Sequence, residues 1–94
     1  MDKQWCVYIL QCKDGSLYTG VTDDLERRIK AHESGRGAKY TRGRGPLRLR
    51  YHELLDSHAS ALRREYQIKA MKRADKLLLI GSFDQEQKDK STSL

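Results

Sequence analysis

The sequence predicts an α/β chain of the α+β kind, a small three-stranded antiparallel sheet flanked by about three helices in the order β-β-α-β-α-α. Three observations carry this. Two short runs rich in β-branched and aromatic residues flank Asp14-Gly15, the dipeptide of a tight hairpin. A basic stretch with helical spacing follows the second run at once. After a glycine-rich loop, an alternating run leads into two segments with apolar residues at helical spacing. The length of 94 residues suits one domain with a modest core, placed at residues 1–81, with a polar, disordered tail at 82–94.

Trp5 to Gln11 and Leu17 to Thr22 are the hairpin strands. Parity decides what they present. A two-residue loop at Asp14-Gly15 pairs Tyr8 with Val21 and Tyr18 with Gln11, so the tyrosines face opposite ways. A loop of odd length puts Tyr8 and Tyr18 on one face with Cys6, Leu10 and Gly20. It also gathers Val7, Ile9, Leu17 and Val21 into an apolar patch on the other. The odd loop sorts the residues better, and it is the expected one.

Helix 1 starts where Asp23, with Glu26 three positions on, offers a capping box, and Gly35 marks its stop. Leu25 and Ile29 supply its buried stripe, while Arg28 and His32 are i,i+4 neighbours on one face. Arg27 points about 100° away. Residues 35–46 read as a hydrated loop ended by Pro46, the single proline. In the next run Leu47, Leu49 and Tyr51 alternate with Arg48, Arg50 and His52, which describes a third strand. Ser57 caps a second helix running to about Met71, with an apolar stripe of Ala61, Leu62, Ile68 and Met71 widened by Tyr66 and Ala70. A short third helix around Ala74 to Ile80 is expected to end at Gly81.

Composition bounds the function. The fractions of 37% hydrophobic and 34% charged residues fit a globular chain, and no apolar run reaches the roughly eighteen residues of a membrane helix. The N-terminus lacks a signal-peptide pattern, so the cytoplasm is the expected location. Cys6 and Cys12 form no zinc or redox motif and read as small buried hydrophobes. The net charge of +6 is uneven: nine Lys/Arg and one acid, Glu33, between Arg27 and Arg50 give a local +8. Such a concentration suits a polyanion, nucleic acid ahead of a membrane surface, or else a solvated basic face with no partner.

Tyr8 and Tyr18 share a face beside a basic helix, where a fixed arginine could help a tyrosine act as a general base; otherwise they are two half-buried aromatics. Arg28 has a fork matched to phosphate oxygens, or it pairs with Asp24. His32 could orient a tyrosine or shuttle a proton, or simply cap carbonyls. Glu65 falls inside the apolar stripe of helix 2. A carboxylate there needs a partner, either a buried ion pair with Arg28 or a single Mg²⁺ that fills its other positions with water and phosphate oxygens. Arg27, Arg36, Lys39, Arg42 and Arg44 could follow a phosphate backbone, with Tyr40 available to stack on a base.

Val7-Tyr8-Ile9-Leu10, Tyr18-Thr19-Gly20, the run from Asp24 to His32, Gly35 to Thr41 and Arg63 to Lys69 together resemble the GIY-YIG nuclease motif. The similarity extends to about Gly81 and is nearest to the small stand-alone bacterial (YhbQ-like) members. It implies the β-β-α-β-α-α fold and a DNA endonuclease dependent on one Mg²⁺ or Mn²⁺ ion, in DNA repair or recombination. By motif position it also implies that the two family tyrosines fall on Tyr8 and Tyr18, the helix arginine on Arg28, the helix histidine of some members on His32, and the metal-binding glutamate on Glu65. The Gly-Ile of the family name is not kept around Tyr8, and the chain has no asparagine where many family nucleases carry a late one. The alternative is a nucleic-acid-binding module of the same fold without turnover, or a subunit that cuts only with a protein partner.

Overall fold

A computed structural model describes residues 4–92, and side chains from residue 4 to residue 87. Residues 1–3 of the expected domain and 93–94 of the expected tail lie outside that range. The elements are β1 (Cys6–Gln11), β2 (Leu17–Thr22), α1 (Leu25–Glu33), a 3₁₀ turn (Lys39–Thr41), β3 (Arg48–Leu54), α2 (His58–Lys69) and α3 (Arg73–Thr92). This is the expected order of strands and helices.

β1 is the central strand of an antiparallel sheet ordered β2-β1-β3. Its residues Cys6 to Leu10 are buried in succession, because both faces of the sheet are covered. Leu10 pairs with Tyr18, and Tyr8 with Gly20. The connection spans residues 12–16, an odd number, so the two tyrosines do share a face. Asp14 organises that turn by accepting from the Ser16 amide at 3.0 Å and its hydroxyl at 2.6 Å. The opposite face carries the core, where Val7, Ile9 and Tyr51 meet Ala61 and Ile68 of α2 and Ile80 of α3.

Four expectations need correction. Asp24, not Asp23, is the N-cap of α1, with Oδ1 accepting from the Arg27 amide at 3.2 Å. Thr22 moves the start by one residue, since its hydroxyl oxygen accepts from the Asp24 amide at 3.1 Å. β3 does not alternate throughout: Ile9 pairs with Tyr51 but Leu10 with Leu49, so Arg50 is an extra, bulged residue. Tyr51 therefore turns into the core while Leu49 falls on the Tyr8 face, and Arg50 reaches Gln11 and Asp84. On α2, Leu62, Tyr66 and Ala70 lie outside the buried stripe, which runs through Ala61 and Ile68. Gly81 does not end α3, which continues to Thr92. A glycine inside a helix costs about 1 kcal/mol relative to alanine. Beyond it, the Phe83 ring packs edge-on to Tyr51 at 5.6 Å and His52 at 5.1 Å, and Asp84 pairs with Arg50.

Ser57 caps α2 as expected, accepting from the Ser60 amide at 3.1 Å. Glu53 of β3 ties sheet to helix by accepting from the Tyr51 hydroxyl at 2.7 Å and Arg64 Nε at 2.8 Å. Cys6 and Cys12 are free and buried. No helix among the described residues is long and apolar enough to cross a membrane.

Candidate active site

Tyr8 lies at the middle of β1 with no exposed surface. Room for its phenol exists only because Gly20 stands opposite. A Cβ at position 20 would lie 2.6 Å from Tyr8 Cζ and 3.0 Å from Tyr18 Cε2. The hydroxyl reaches His32 Nε2 at 2.8 Å and accepts from Arg28 Nε at 3.4 Å. Tyr18 completes the group, with its ring centroid 6.3 Å from that of Tyr8 and 5.2 Å from that of His32. The structure thus brings Tyr8, Tyr18, Arg28 and His32 together.

The electrostatics follow from that crowding. Burial pushes the Tyr8 phenol up to about 12, although the Arg28 hydrogen bond works against it. The same bond to Tyr8 raises Arg28 above its already high value. Burial, and then the Arg28 charge, hold His32 below its ordinary 6.5. At neutral pH the site therefore consists of a phenol, a neutral imidazole and a guanidinium cation.

His32 is fixed from three sides. It sits in the last turn of α1, where Gly35, at φ +78°, closes a Schellman motif: its amide bonds the His32 carbonyl at 3.1 Å and the Arg36 amide bonds Ala31 at 2.8 Å. The chain then folds back so that Gly37 lies against the imidazole, where a Cβ would come within 2.6 Å of His32 Cγ. Beyond it the 3₁₀ turn delivers Thr41, buried, with Oγ1 2.8 Å from His32 Nδ1. Sequence reasoning missed Thr41, Gly20 and Gly37. Thr41 stood in the run Gly35 to Thr41, but the surrounding glycines and cations made that run read as hydrated loop.

The loop packs more closely than expected. Tyr40 stacks on Tyr18 with centroids 5.9 Å apart, and the Arg44 guanidinium lies 4.7 Å over the Tyr40 ring. Arg44 also pairs with Asp14 at 2.7 Å, and its carbonyl accepts from the Lys13 amide at 2.8 Å. The loop is thereby held to the hairpin, and a base stacking on Tyr40 would have to compete with Arg44. Arg27, Arg36, Lys39 and Arg42 are exposed. Arg27 and Arg28 line a cleft of about 340 Å³ with Thr22, Asp23, Asp24 and Ala31.

Glu65 comes from a separate element, α2. It is half-buried on α2, one turn after Ala61, and its Oε2 pairs with Lys69 Nζ at 3.3 Å. No hydrogen bond or ion pair joins it to Tyr8, Tyr18, Arg28 or His32. No group of three His, Cys, Asp or Glu side chains suited to a metal occurs among the described residues. A half-buried carboxylate whose partner is an exposed lysine still fits a hard cation such as Mg²⁺, which accepts one protein oxygen and keeps its waters.

Residues 4–77 match the GIY-YIG catalytic domain. The UPF0213 protein CPE1444 of Clostridium perfringens is 60% identical over 76 residues, 81% of this chain and 82% of that protein. The solution structure of the UPF0213 protein BH0048 from Bacillus halodurans is similar with a TM-score of 0.55 and 54% identity, covering 83% of each chain. The solution structure of protein EF2693 from E. faecalis has a TM-score of 0.61 at 35% identity, covering 89% of this chain and 92% of that one.

Proposed function

This chain belongs to the GIY-YIG family, and from that membership we propose a DNA endonuclease that hydrolyses phosphodiester bonds with Mg²⁺ or Mn²⁺. The observation that carries the reading is the Tyr8 hydroxyl, held at 2.8 Å from a neutral imidazole while Arg28 donates into the same oxygen.

A phenol whose pKa is about 12 is a poor base by itself. The neighbouring imidazole removes the difficulty. Arg28 occupies a lone pair of the phenolic oxygen, so the Tyr8 proton is directed to His32 Nε2. Tyr8 has no exposed surface, so substrate binding must open the Arg28 side of the phenol; the attacking water then passes its proton to Tyr8 while the Tyr8 proton passes to His32. The water oxygen bonds to phosphorus, and the bond from phosphorus to the sugar oxygen breaks. That oxygen takes a proton from solvent water, and the proton of the attacking water ends on the imidazole. Positioned proton transfer of this kind contributes about 10²–10⁴ in rate.

Arg28 has two functions here. One N–H orients Tyr8, and the others of its five can meet the charge that develops on the phosphoryl oxygens. Tyr18, against both rings, orients the water or the phosphate. Glu65 would hold the metal ion, and the ion would supply positive charge to the phosphate oxygens. The exposed cations Arg27, Arg36, Lys39 and Arg42 would follow the phosphate backbone, with Arg44 and Tyr40 at the edge of the site.

The test is a cleavage panel of duplex, branched and single-stranded labelled DNA with Mg²⁺, comparing the parent with Tyr8→Phe and Glu65→Ala. The reading expects cleavage by the parent and loss in both variants. Equal cleavage by Glu65→Ala would remove the metal assignment, and equal cleavage by Tyr8→Phe would remove the proton relay.

A further inference from the structure

We propose that Thr41 is a positioning residue that fixes the His32 tautomer, keeping the proton on Nδ1 and leaving Nε2 open towards Tyr8. This deepens the endonuclease reading and rests on it for its kinetic consequence, but not for the tautomer itself.

Thr41 Oγ1 has one proton and two close partners, His32 Nδ1 at 2.8 Å and the Ala38 carbonyl at 3.0 Å. A carbonyl can only accept, so a hydroxyl that serves it must take its second bond as an acceptor. The proton of that second bond then belongs to Nδ1. On the far side of the ring, Nε2 is left as an acceptor 2.8 Å from the Tyr8 hydroxyl, which already accepts from Arg28. The Arg28 Nε–H, the Tyr8 hydroxyl, the His32 Nδ1–H and the Thr41 hydroxyl then each have an acceptor. The Ala38 amide gives up its 3.4 Å contact to Nδ1.

The opposite tautomer has two supporters, since the Thr41 hydroxyl can itself donate to Nδ1 while the Ala38 carbonyl keeps the Thr41 amide at 3.1 Å. The Ala38 amide points at Nδ1, but from 3.4 Å, the weak end of the range. It would direct two N–H donors at Tyr8 and leave the proton of a phenol with no exposed surface without a partner among these groups. The 2.8 Å contact to Thr41 serves either tautomer, so the choice rests on the Tyr8 proton, which has an acceptor only when Nε2 is open. Remove the Thr41 hydroxyl, however, and the Ala38 amide is the one remaining partner of Nδ1. The proton should then move to Nε2, which would present a donor to Tyr8 and close the relay.

The 3₁₀ turn is what makes this arrangement possible. Its first bond, from the Thr41 amide to the Ala38 carbonyl at 3.1 Å, brings residues 38 and 41 to the same imidazole edge. Gly37 lets that edge approach, since any side chain there would strike the ring.

Two-bond proton–nitrogen NMR on ¹⁵N-labelled protein at about pH 8, where an unperturbed imidazole is already neutral, reads the tautomer directly, with His32 assigned by its loss in His32→Gln. The parent should show a protonated Nδ1 and an open Nε2, Thr41→Val should show the reverse, and Thr41→Ser should match the parent. In cleavage assays Thr41→Val should lower kcat on the order of 10²-fold with little change in KM, and Thr41→Ser should restore it. A protonated Nε2 in the parent overturns the proposal without any variant having to fold. An unchanged tautomer in folded Thr41→Val, or a changed tautomer with an unchanged kcat, overturns it as well. If the tautomers behave as stated but the parent cuts no DNA, the endonuclease reading fails and the Thr41 assignment stands.

Discussion

Tyr8 shows how much of the site a single neighbour decides. Its phenol fits only because position 20 has no side chain. Gly20→Ala places a methyl against Tyr8 and Tyr18, whose rings have packed neighbours and little space to retreat. Overpacking of this sort costs about 1–3 kcal/mol, measurable by urea denaturation, and cleavage should fall further than stability does, because the Tyr8 hydroxyl leaves its 2.8 Å contact. The pH response belongs to the same residues. His32 is held below 6.5 in the folded protein, so it favours folding above that value. That contribution is lost as pH falls through the lower, folded value. Cleavage should decline over the same acid window, since a protonated imidazole cannot accept from Tyr8. Tyr8, raised to about 12, gives no alkaline limb below that pH. A cleavage profile with its acid limb centred above 6.5 would contradict the assignment of His32 as the acceptor.

The elements were legible to the extent that short-range signals determine them. Asp14-Gly15, the alternation within β1 and β2, and Ser57 before α2 are local, and the structure agrees with each. The β3 bulge was not legible, because the extra residue, Arg50, sits in an unbroken alternating run and is selected by its contacts with Gln11 and Asp84. The length of α3 was hidden for a similar reason. Gly81 is a stop by local propensity, and the packing of Phe83 on Tyr51 and His52, with the Asp84–Arg50 pair, carries the helix past it. Phe83 is half-buried, so Phe83→Ala should destabilise the fold by about 1–3 kcal/mol, below the range for a fully buried ring. At the end of α1, Gly35 needs a left-handed conformation, and Gly35→Ala should cost about 1–2 kcal/mol by thermal or chemical unfolding. Because Gly35 also directs the chain towards Thr41, cleavage should weaken with it.

Across the whole molecule, the uneven charge and the fold point to one surface. The site residues Tyr8, Tyr18, Arg28 and His32 were legible because hairpin parity and helix spacing place them by simple rules. Thr41 was not, since its approach to His32 depends on the turn at residues 39–41 and on Gly37. Glu65 was read as a carboxylate on the apolar stripe of α2 that needs Arg28 or a metal; it is half-buried, and its ion-pair partner is Lys69 of the next turn. The segment of net +8 includes Arg28 and His32 of the site and the turn that carries Thr41. If Arg27, Arg36, Lys39, Arg42 and Arg44 each neutralise one phosphate, the plot of log affinity against log salt for duplex DNA should have a slope of about −4.5. A slope near zero in a fluorescence-anisotropy titration would contradict a phosphate-tracking face. The central claim, that Tyr8 and His32 relay the proton of an attacking water, is tested most directly by the single-turnover cleavage rate of Tyr8→Phe beside the parent, with Mg²⁺ on the DNA that the parent cuts fastest. The account predicts a rate lower by about 10²–10⁴; a Tyr8→Phe rate equal to that of the parent would contradict it.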